Sequence, residues 1–335
     1  MSTPTTSAGR RLGRTGPTVS ALGLGLMGMS DLYGPAEESE SIATIHQALD
    51  AGVTLLDTGD FYGMGHNEML LREALRGRNR DDVVISVKFG ALRGPDGAWA
   101  GVDTRPAAIR NFLGYSLKRL GTDHVDVYRP ARFDPSIPIE ETVGAMAELV
   151  QAGWVRHLGL SEVGAETLRR AAAVHPIADL QIEYSLLSRD IEREILPTAR
   201  ELGVGITAYG VLSRGLLSGH WSADRDVRDF RAHLPRFSGE NLEANLRLVE
   251  ALRQVAAARD TTVARVAIAW VASHGDDIVP LVGARTRTRL VESLGALEVD
   301  LTAQDLAAIE AAVPTDAVAG TRYDAMQMSF LDSEK

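Results

Sequence analysis

The sequence predicts a (β/α)8 TIM barrel with a short N-terminal β-hairpin. Three observations carry that prediction. Short apolar runs, eight of them, alternate with longer segments of helical period. Two of the runs stop on an ionisable residue, Asp57 and Lys88, as strands do when their C-terminal ends open onto an active site. No linker and no internal repeat divides the chain, so one domain is expected over residues 10–335.

The elements follow in order. Residues 1–9 are small and polar, have no apolar core of a secretory signal, and are expected to be disordered. Arg11-Leu12-Gly13-Arg14-Thr15-Gly16, then Thr18-Val19, reads as a hairpin with glycines at its turn. Strands are expected at 21–26, 53–57, 83–88, 125–129, 155–160, 180–183, 205–209 and 278–282. Helices are expected at 37–51, 67–75, 105–120, 139–152, 166–174, 191–202, 242–259, 263–273 and 289–297. The first of these helices gathers Ile42, Ile45, Ala48 and Leu49 on one face, and Gly52 stops it. Thr104 is placed to cap the helix at 105–120, with Pro106 in its first turn and Gly121 at its end. Pro197 should distort the helix at 191–202. The polar stretch 213–240 is long enough to be a functional flap. Residues from 320 onward lack a pattern and are expected as a tail over the barrel mouth.

Bulk properties narrow the partners. With 335 residues, 45% of them hydrophobic, the chain can bury a large core. Its net charge of −10 disfavours nucleic acid and membrane surfaces, which need basic patches. It has no cysteine, so disulfides and thiolate chemistry are out of reach. Eight scattered histidines show no metal-ligand spacing, and no metal site is expected. No run approaches the ~18 apolar residues of a membrane span, and a cytoplasmic protein is the simplest reading.

The most informative stretch is Leu55-Leu56-Asp57-Thr58-Gly59-Asp60-Phe61-Tyr62-Gly63. A buried run delivers a carboxylate, and a phenol follows within a few residues. The next strand, Val83-Val84-Ile85-Ser86-Val87-Lys88, delivers an amine to the same rim. Together they make a proton-transfer site, in which the lysine should lower the phenol's pKa and Asp57 should keep the lysine charged. Gly23-Leu24-Gly25-Leu26-Met27-Gly28 matches the dinucleotide fingerprint Gly-x-Gly-x-x-Gly. It runs into loop rather than opening a helix, so glycines in a narrow barrel strand explain it better.

Asp57-Thr58, Tyr62-Gly63, Asn67-Glu68 and Lys88, in that order, resemble the aldo-keto reductase family, and the resemblance covers most of the chain. It implies catalytic roles for Asp57, Tyr62 and Lys88. It also implies a nicotinamide cofactor, with Ser161 and Gln181 holding the carboxamide and Tyr209 stacked on the ring. A hydroxyl and a side-chain amide can together match the donor and acceptor of an amide. The family has Asn where Glu162 stands, and a carboxylate cannot donate as Asn does. Leu212, Ser213 and Arg214 correspond to the loop over the pyrophosphate. Gly283, Arg285, Arg289, Glu292 and Ser293 correspond to the adenosine end, with Arg289 the best ligand for a 2′-phosphate and Arg285 a second. NADPH/NADP+ is therefore the expected cofactor. One basic family position is Thr286 here, and Ser293 replaces an Asn.

One departure is larger. The family's fourth strand ends Asp-x-Tyr-x-x-His, and its histidine polarises the substrate carbonyl. Here the stretch is Asp126-Val127-Tyr128-Arg129-Pro130-Ala131-Arg132, with Ala131 in place of the histidine. His124 stands at the strand's start, on the opposite rim. The resemblance thus implies NADPH-dependent reduction of small aldehydes or ketones, Tyr62 being the proton donor. Two alternatives stay open: an NADP-dependent alcohol or sugar dehydrogenase, and a low-turnover nicotinamide-binding regulatory protein of the kind that the potassium-channel β subunits represent.

Overall fold

The computed structural model describes residues 9–30, 32–222, 224–225 and 227–335. Within them, eight parallel strands close into a barrel in chain order. They are β1 (Gly23–Gly25), β2 (Leu55–Gly59), β3 (Val84–Phe89), β4 (Val125–Pro130), β5 (Val155–Ser161), β6 (Ile177–Glu183), β7 (Gly205–Tyr209) and β8 (Ile278–Gly283). β8 pairs back to β1, Leu281 opposite Gly23. The surrounding helices are α1 (Glu38–Asp50), α2 (His66–Ala74), α3 (Pro106–Leu120), α4 (Ile139–Gln151), α5 (Ala165–Val174), α6 (Ile195–Leu202), α7 (Gly239–Ala258), α8 (Val263–Ser273) and α9 (Arg287–Leu294). A hairpin pairs Gly9–Arg11 with Thr18–Ser20. Gly9 thus belongs to that hairpin, while residues 1–8 of the expected disordered segment lie outside the described residues.

Burial on both faces explains the strand composition: every residue of β2 and of β6 is buried. The fingerprint-like glycines belong to this packing. A Cβ at Gly23 would sit 2.8 Å from a Leu55 methyl and 3.0 Å from a Leu281 methyl. After β1 the chain makes only a 3-10 turn, Met27–Met29, so no helix N-terminus awaits a phosphate there.

Several boundaries differ from expectation for physical reasons. β2 continues past Asp57 to Gly59, because Asp57 to Gly59 still pair with Ser86 to Lys88. Asp57 is therefore inside the strand and not at its end. Thr104 does not cap α3: the cap position is Arg105, without a side-chain bond, and the Thr104 hydroxyl instead pairs with Thr142 at 3.2 Å. The expected helix at 191–202 begins as a 3-10 turn, Asp190–Glu192, and α6 starts only at Ile195, which puts Pro197 in its first turn. A second hairpin, Ala91–Arg93 with Trp99–Val102, occupies the loop after β3.

Past the barrel, α10 (Ala303–Ala312) starts at a Thr302–Asp305 capping box. The tail then crosses α7, where Asn245 brackets Ala319 with bonds of 2.9 and 3.0 Å. It includes a short helix, α11 (Ala325–Ser329), and its end is tied to the start of α5 by Asp332, which accepts from the Gly164 amide at 2.8 Å. The expected tail over the mouth is thus a fastened strap. No helix among the described residues is long and apolar enough to cross a membrane.

Candidate active site

The site is built from strand ends upward. Asp57 of β2 is buried and forms an ion pair with the Lys88 ammonium of β3. Its other oxygen accepts from the Ser86 hydroxyl and from the Gln181 side-chain amide, each at 2.8 Å. Tyr62 opens the turn Tyr62–Gly65 after β2, its ring edge-on to Phe61 with centroids 4.7 Å apart. Lys88 Nζ lies 5.2 Å from the Tyr62 ring centroid. That turn needs left-handed backbone at Gly63 (φ 55) and Met64 (φ 53), which places a glycine where one residue can adopt it freely.

The electrostatics reverse one sequence expectation. Tyr62 is not lowered. Burial first, and the Asp57 charge second, raise its pKa well above the ordinary phenol value, with Arg132 opposing. Burial also pulls Lys88 down to about 8, although the neighbouring Asp57 works the other way. The phenol is thus kept protonated, the state a proton donor needs.

A second charged layer lies beneath, which sequence reasoning missed. Arg129 of β4 is fully buried and grips both oxygens of Asp179 of β6, at 3.0 and 2.8 Å. Asp179 also accepts from Thr207 of β7. Arg129 Nη1 stands 3.6 Å from Asp57, and neither Nη1 nor Nε has a hydrogen-bond partner among the described residues. Gly159 of β5 makes room, since a Cβ there would sit 2.5 Å from Asp179 Oδ1. The available signal was a charged residue within each of two largely buried strands, Arg129 in β4 and Asp179 in β6.

One cavity of about 650 Å³ joins Asp57, Tyr62 and Lys88 to Ser161, Gln181 and Tyr209, and continues past Leu212 and Arg214 to Gly283, Arg285, Arg289, Glu292 and Ser293. At the far end Thr286 caps α9, accepting from the Arg289 amide at 3.4 Å, which accounts for a hydroxyl at that position. Arg285 donates to the carbonyl oxygens of Tyr33 (2.8 Å) and Pro35 (3.2 Å). Arg289 is half-exposed and pairs with Glu292 at 2.9 Å; Glu292 also meets His220 at 3.3 Å.

Glu162 and Ser213, expected to touch the cofactor, do not line this cavity. Glu162 is buried against the strap: Arg322 donates to its two oxygens at 2.8 and 2.6 Å, Ser333 at 2.6 Å and Tyr209 at 2.7 Å. Arg214 does reach the cavity, but its guanidinium is committed to Glu183 at 2.8 and 3.1 Å and lies 4.4 Å from the Tyr323 ring centroid. It anchors the mouth rather than standing open for an anion. Ala131 also lines the cavity, followed by Arg132, and Tyr323 of the strap faces them.

Comparisons with known proteins agree with this geometry. A model of the Aldo/keto reductase family matches residues 21–314. The probable aldo-keto reductase 1 of Glycine max is 42% identical over 318 residues, covering 93% of this chain and 91% of that one. Among solved structures, a glycerol dehydrogenase from Gluconobacter oxydans superposes with a TM-score of 0.83 at 28% identity, over 92% of this chain and 96% of that one. The holo form of an aldo-keto reductase from Bacillus halodurans gives 0.76 at 28% identity, over 92% and 96%.

Proposed function

This chain belongs to the aldo/keto reductase family, a family of NAD(P)-dependent oxidoreductases, and from that premise we propose that it reduces aldehydes or ketones to alcohols with NADPH. The observation that carries the proposal is Tyr62, held protonated in the cavity above the Lys88–Asp57 pair. The donor set fits a nicotinamide dinucleotide. Ser161 and Gln181 offer a hydroxyl and an amide at one end, and Arg289 with the start of α9 offers positive charge at the other. When bound there, that group supplies a hydride to the carbonyl carbon.

The chain's own residues do the rest. Tyr62 Oη gives its proton to the carbonyl oxygen, so that a C–H and an O–H bond form and an alcohol leaves. Lys88 stabilises the phenolate left behind, and Asp57 holds the ammonium in place. Alcohol oxidation requires Tyr62 to accept a proton instead, and its raised pKa works for the protonated form. An intact Asp57–Tyr62–Lys88 set also weighs against a purely regulatory role.

The test is a panel of carbonyl compounds, with NADPH consumption followed by absorbance. Turnover is expected on some member, and Tyr62→Phe should cut it ~10²-fold or more while leaving NADPH affinity near wild type. A variant that keeps most of its turnover would mean that another group donates the proton.

A further inference from the structure

We infer that the substrate end of the cavity takes carbonyl compounds that carry a carboxylate, and that Arg132 is the residue that binds it. The inference rests on the reading above only in placing the cofactor phosphates at the Arg285–Arg289 end, away from Arg132 beside Tyr62 and Ala131.

The argument begins with how this protein treats its other inward arginines. Arg129, Arg214, Arg236 and Arg322 are all buried, and each has a carboxylate within 4 Å: Asp179 at 2.8 Å, Glu183 at 2.8 and 3.6 Å, and Glu162 at 2.6 Å. A guanidinium withdrawn from water requires such a partner, because its desolvation is otherwise uncompensated. Arg132 lines the cavity and is partly buried. Its donated bonds go to the Ala131 carbonyl (2.7 Å) and, at the limit, the Tyr323 hydroxyl (3.5 Å). No carboxylate pairs with it among the described residues. Glu162 contributes a negative field, but Arg322 and Ser333 already hold its oxygens. A guanidinium has five N–H donors in a planar fork that matches a carboxylate. Arg132 spends one donor on a neighbouring carbonyl and one, at the limit, on a hydroxyl, and none on a carboxylate among the described residues.

The surroundings favour an anion on an apolar body. Trp99 and Phe330 are large and exposed, at 41% and 45%, and both line the same cavity, as does Phe61. They can cover a ring or chain while Arg132 holds the charged end. Ala131 adds room beside the guanidinium because its side chain is a single methyl. An arginine placed here also raises a rival role, since it could meet the developing oxygen charge in place of the family histidine. The two roles divide cleanly: an anchor acts on one class of substrate, whereas an oxyanion donor acts on all.

The test pairs 4-carboxybenzaldehyde with its methyl ester, two aldehydes of equal reactivity class that differ in one charge. For the wild type, kcat/KM should be at least ~10-fold higher on the acid. Arg132→Met should lower kcat/KM on the acid by roughly 10- to 100-fold, chiefly through KM, and leave the ester within about 3-fold. Arg132→Lys should recover part of the loss. A second readout needs no turnover: calorimetric titration with 4-(hydroxymethyl)benzoate, where binding should weaken by a similar factor in Arg132→Met. An ester preferred by the wild type overturns the inference. Equal losses in kcat on both aldehydes overturn it in favour of the oxyanion role. If no carbonyl is turned over, the titration still decides: Arg132-dependent carboxylate binding supports this inference while the reductase reading fails, and its absence sinks both. Matching thermal melts of wild type and variants exclude misfolding as the cause.

Discussion

Two four-membered charge clusters sit one above the other in this barrel, and they are tuned in opposite directions. At the mouth, Glu162 and Glu183 meet Arg322 and Arg214. On the floor, Asp57 and Asp179 meet Lys88 and Arg129. At the mouth Glu162, Glu183, Arg214 and Arg322 are each pushed further into the charged form, while burial lowers Arg236 beside them. Against the penalty of burial, Arg214, Arg322 and Arg236 hold Glu183 down at about 2, Arg322 and Arg132 hold Glu162 below the usual carboxylate range, and both Arg214 and Arg322 are raised. On the floor, burial wins instead: Lys88 falls to about 8, Asp179 rises, and Arg129 keeps two nitrogens without partners. A satisfied cluster is a clasp. An incompletely satisfied cluster next to a cavity can exchange protons.

The largest effect should come from breaking the clasp. Glu162→Leu removes the bidentate carboxylate of buried Arg322 and leaves it Glu334 at 2.7 Å, Glu183 at 3.4 Å and the Ser333 hydroxyl at 3.1 Å. Removing one member of a buried pair typically costs about 3–5 kcal/mol. Chemical denaturation should show a loss of that order, together with earlier proteolysis in the strap. Arg322→Met in the Glu162→Leu background should recover part of it. A single variant as stable as wild type would reduce the clasp to an incidental contact.

The next effect sharpens what an unclasped arginine does. Arg289 is half-exposed with one partly buried partner, Glu292, unlike Arg214. If it binds the 2′-phosphate, Arg289→Ala should weaken NADPH by roughly 10- to 150-fold, equal to about 1.5–3 kcal/mol for a charge-assisted contact, and leave NADH nearly unchanged. Fluorescence titration of both cofactors checks it, and equal weakening would remove the phosphate assignment.

The contrast also shows what a linear sequence discloses. The barrel was legible because each strand is a short apolar run and each helix has its own period and stop, as with Gly52, Gly121 and Gly153. Asp57, Tyr62 and Lys88 were legible because they lie close in the chain at two adjacent strands. Arg129–Asp179 and Glu162–Arg322 were not, being pairs 50 and 160 residues apart. Nothing local distinguishes Arg214, which is clasped by a buried carboxylate, from Arg289, which is half-exposed. The phenol shift at Tyr62 was misjudged for the same reason. Its sign depends on burial, and sequence proximity to a lysine does not report burial.

The smallest effect is a pH dependence, and it separates the clusters by sign. A carboxylate whose folded pKa is depressed contributes stability that is full above its unfolded pKa and lost as pH falls through the folded one. Glu183, about 2 folded against 4.5 ordinarily, should therefore make the mouth lose stability progressively between pH ~5 and ~2. Lys88 works in reverse. Its folded pKa, about 8, lies below the ordinary 10.5, so its buried charge is a burden on the fold below pH ~8 that is relieved as pH rises toward 10.5. Under the proposed mechanism the same titration is a loss, because a neutral Lys88 would no longer stabilise the Tyr62 phenolate. The kcat/KM for carbonyl reduction should be flat through neutrality and bend downward near pH 8, approaching tenfold per unit beyond it. Stability by denaturant midpoint should not fall over that same range. If both decline together above pH 8, the alkaline limb reports unfolding and not Lys88. If kcat/KM stays flat to pH 10, Lys88 keeps its proton, and the floor is a clasp like the mouth.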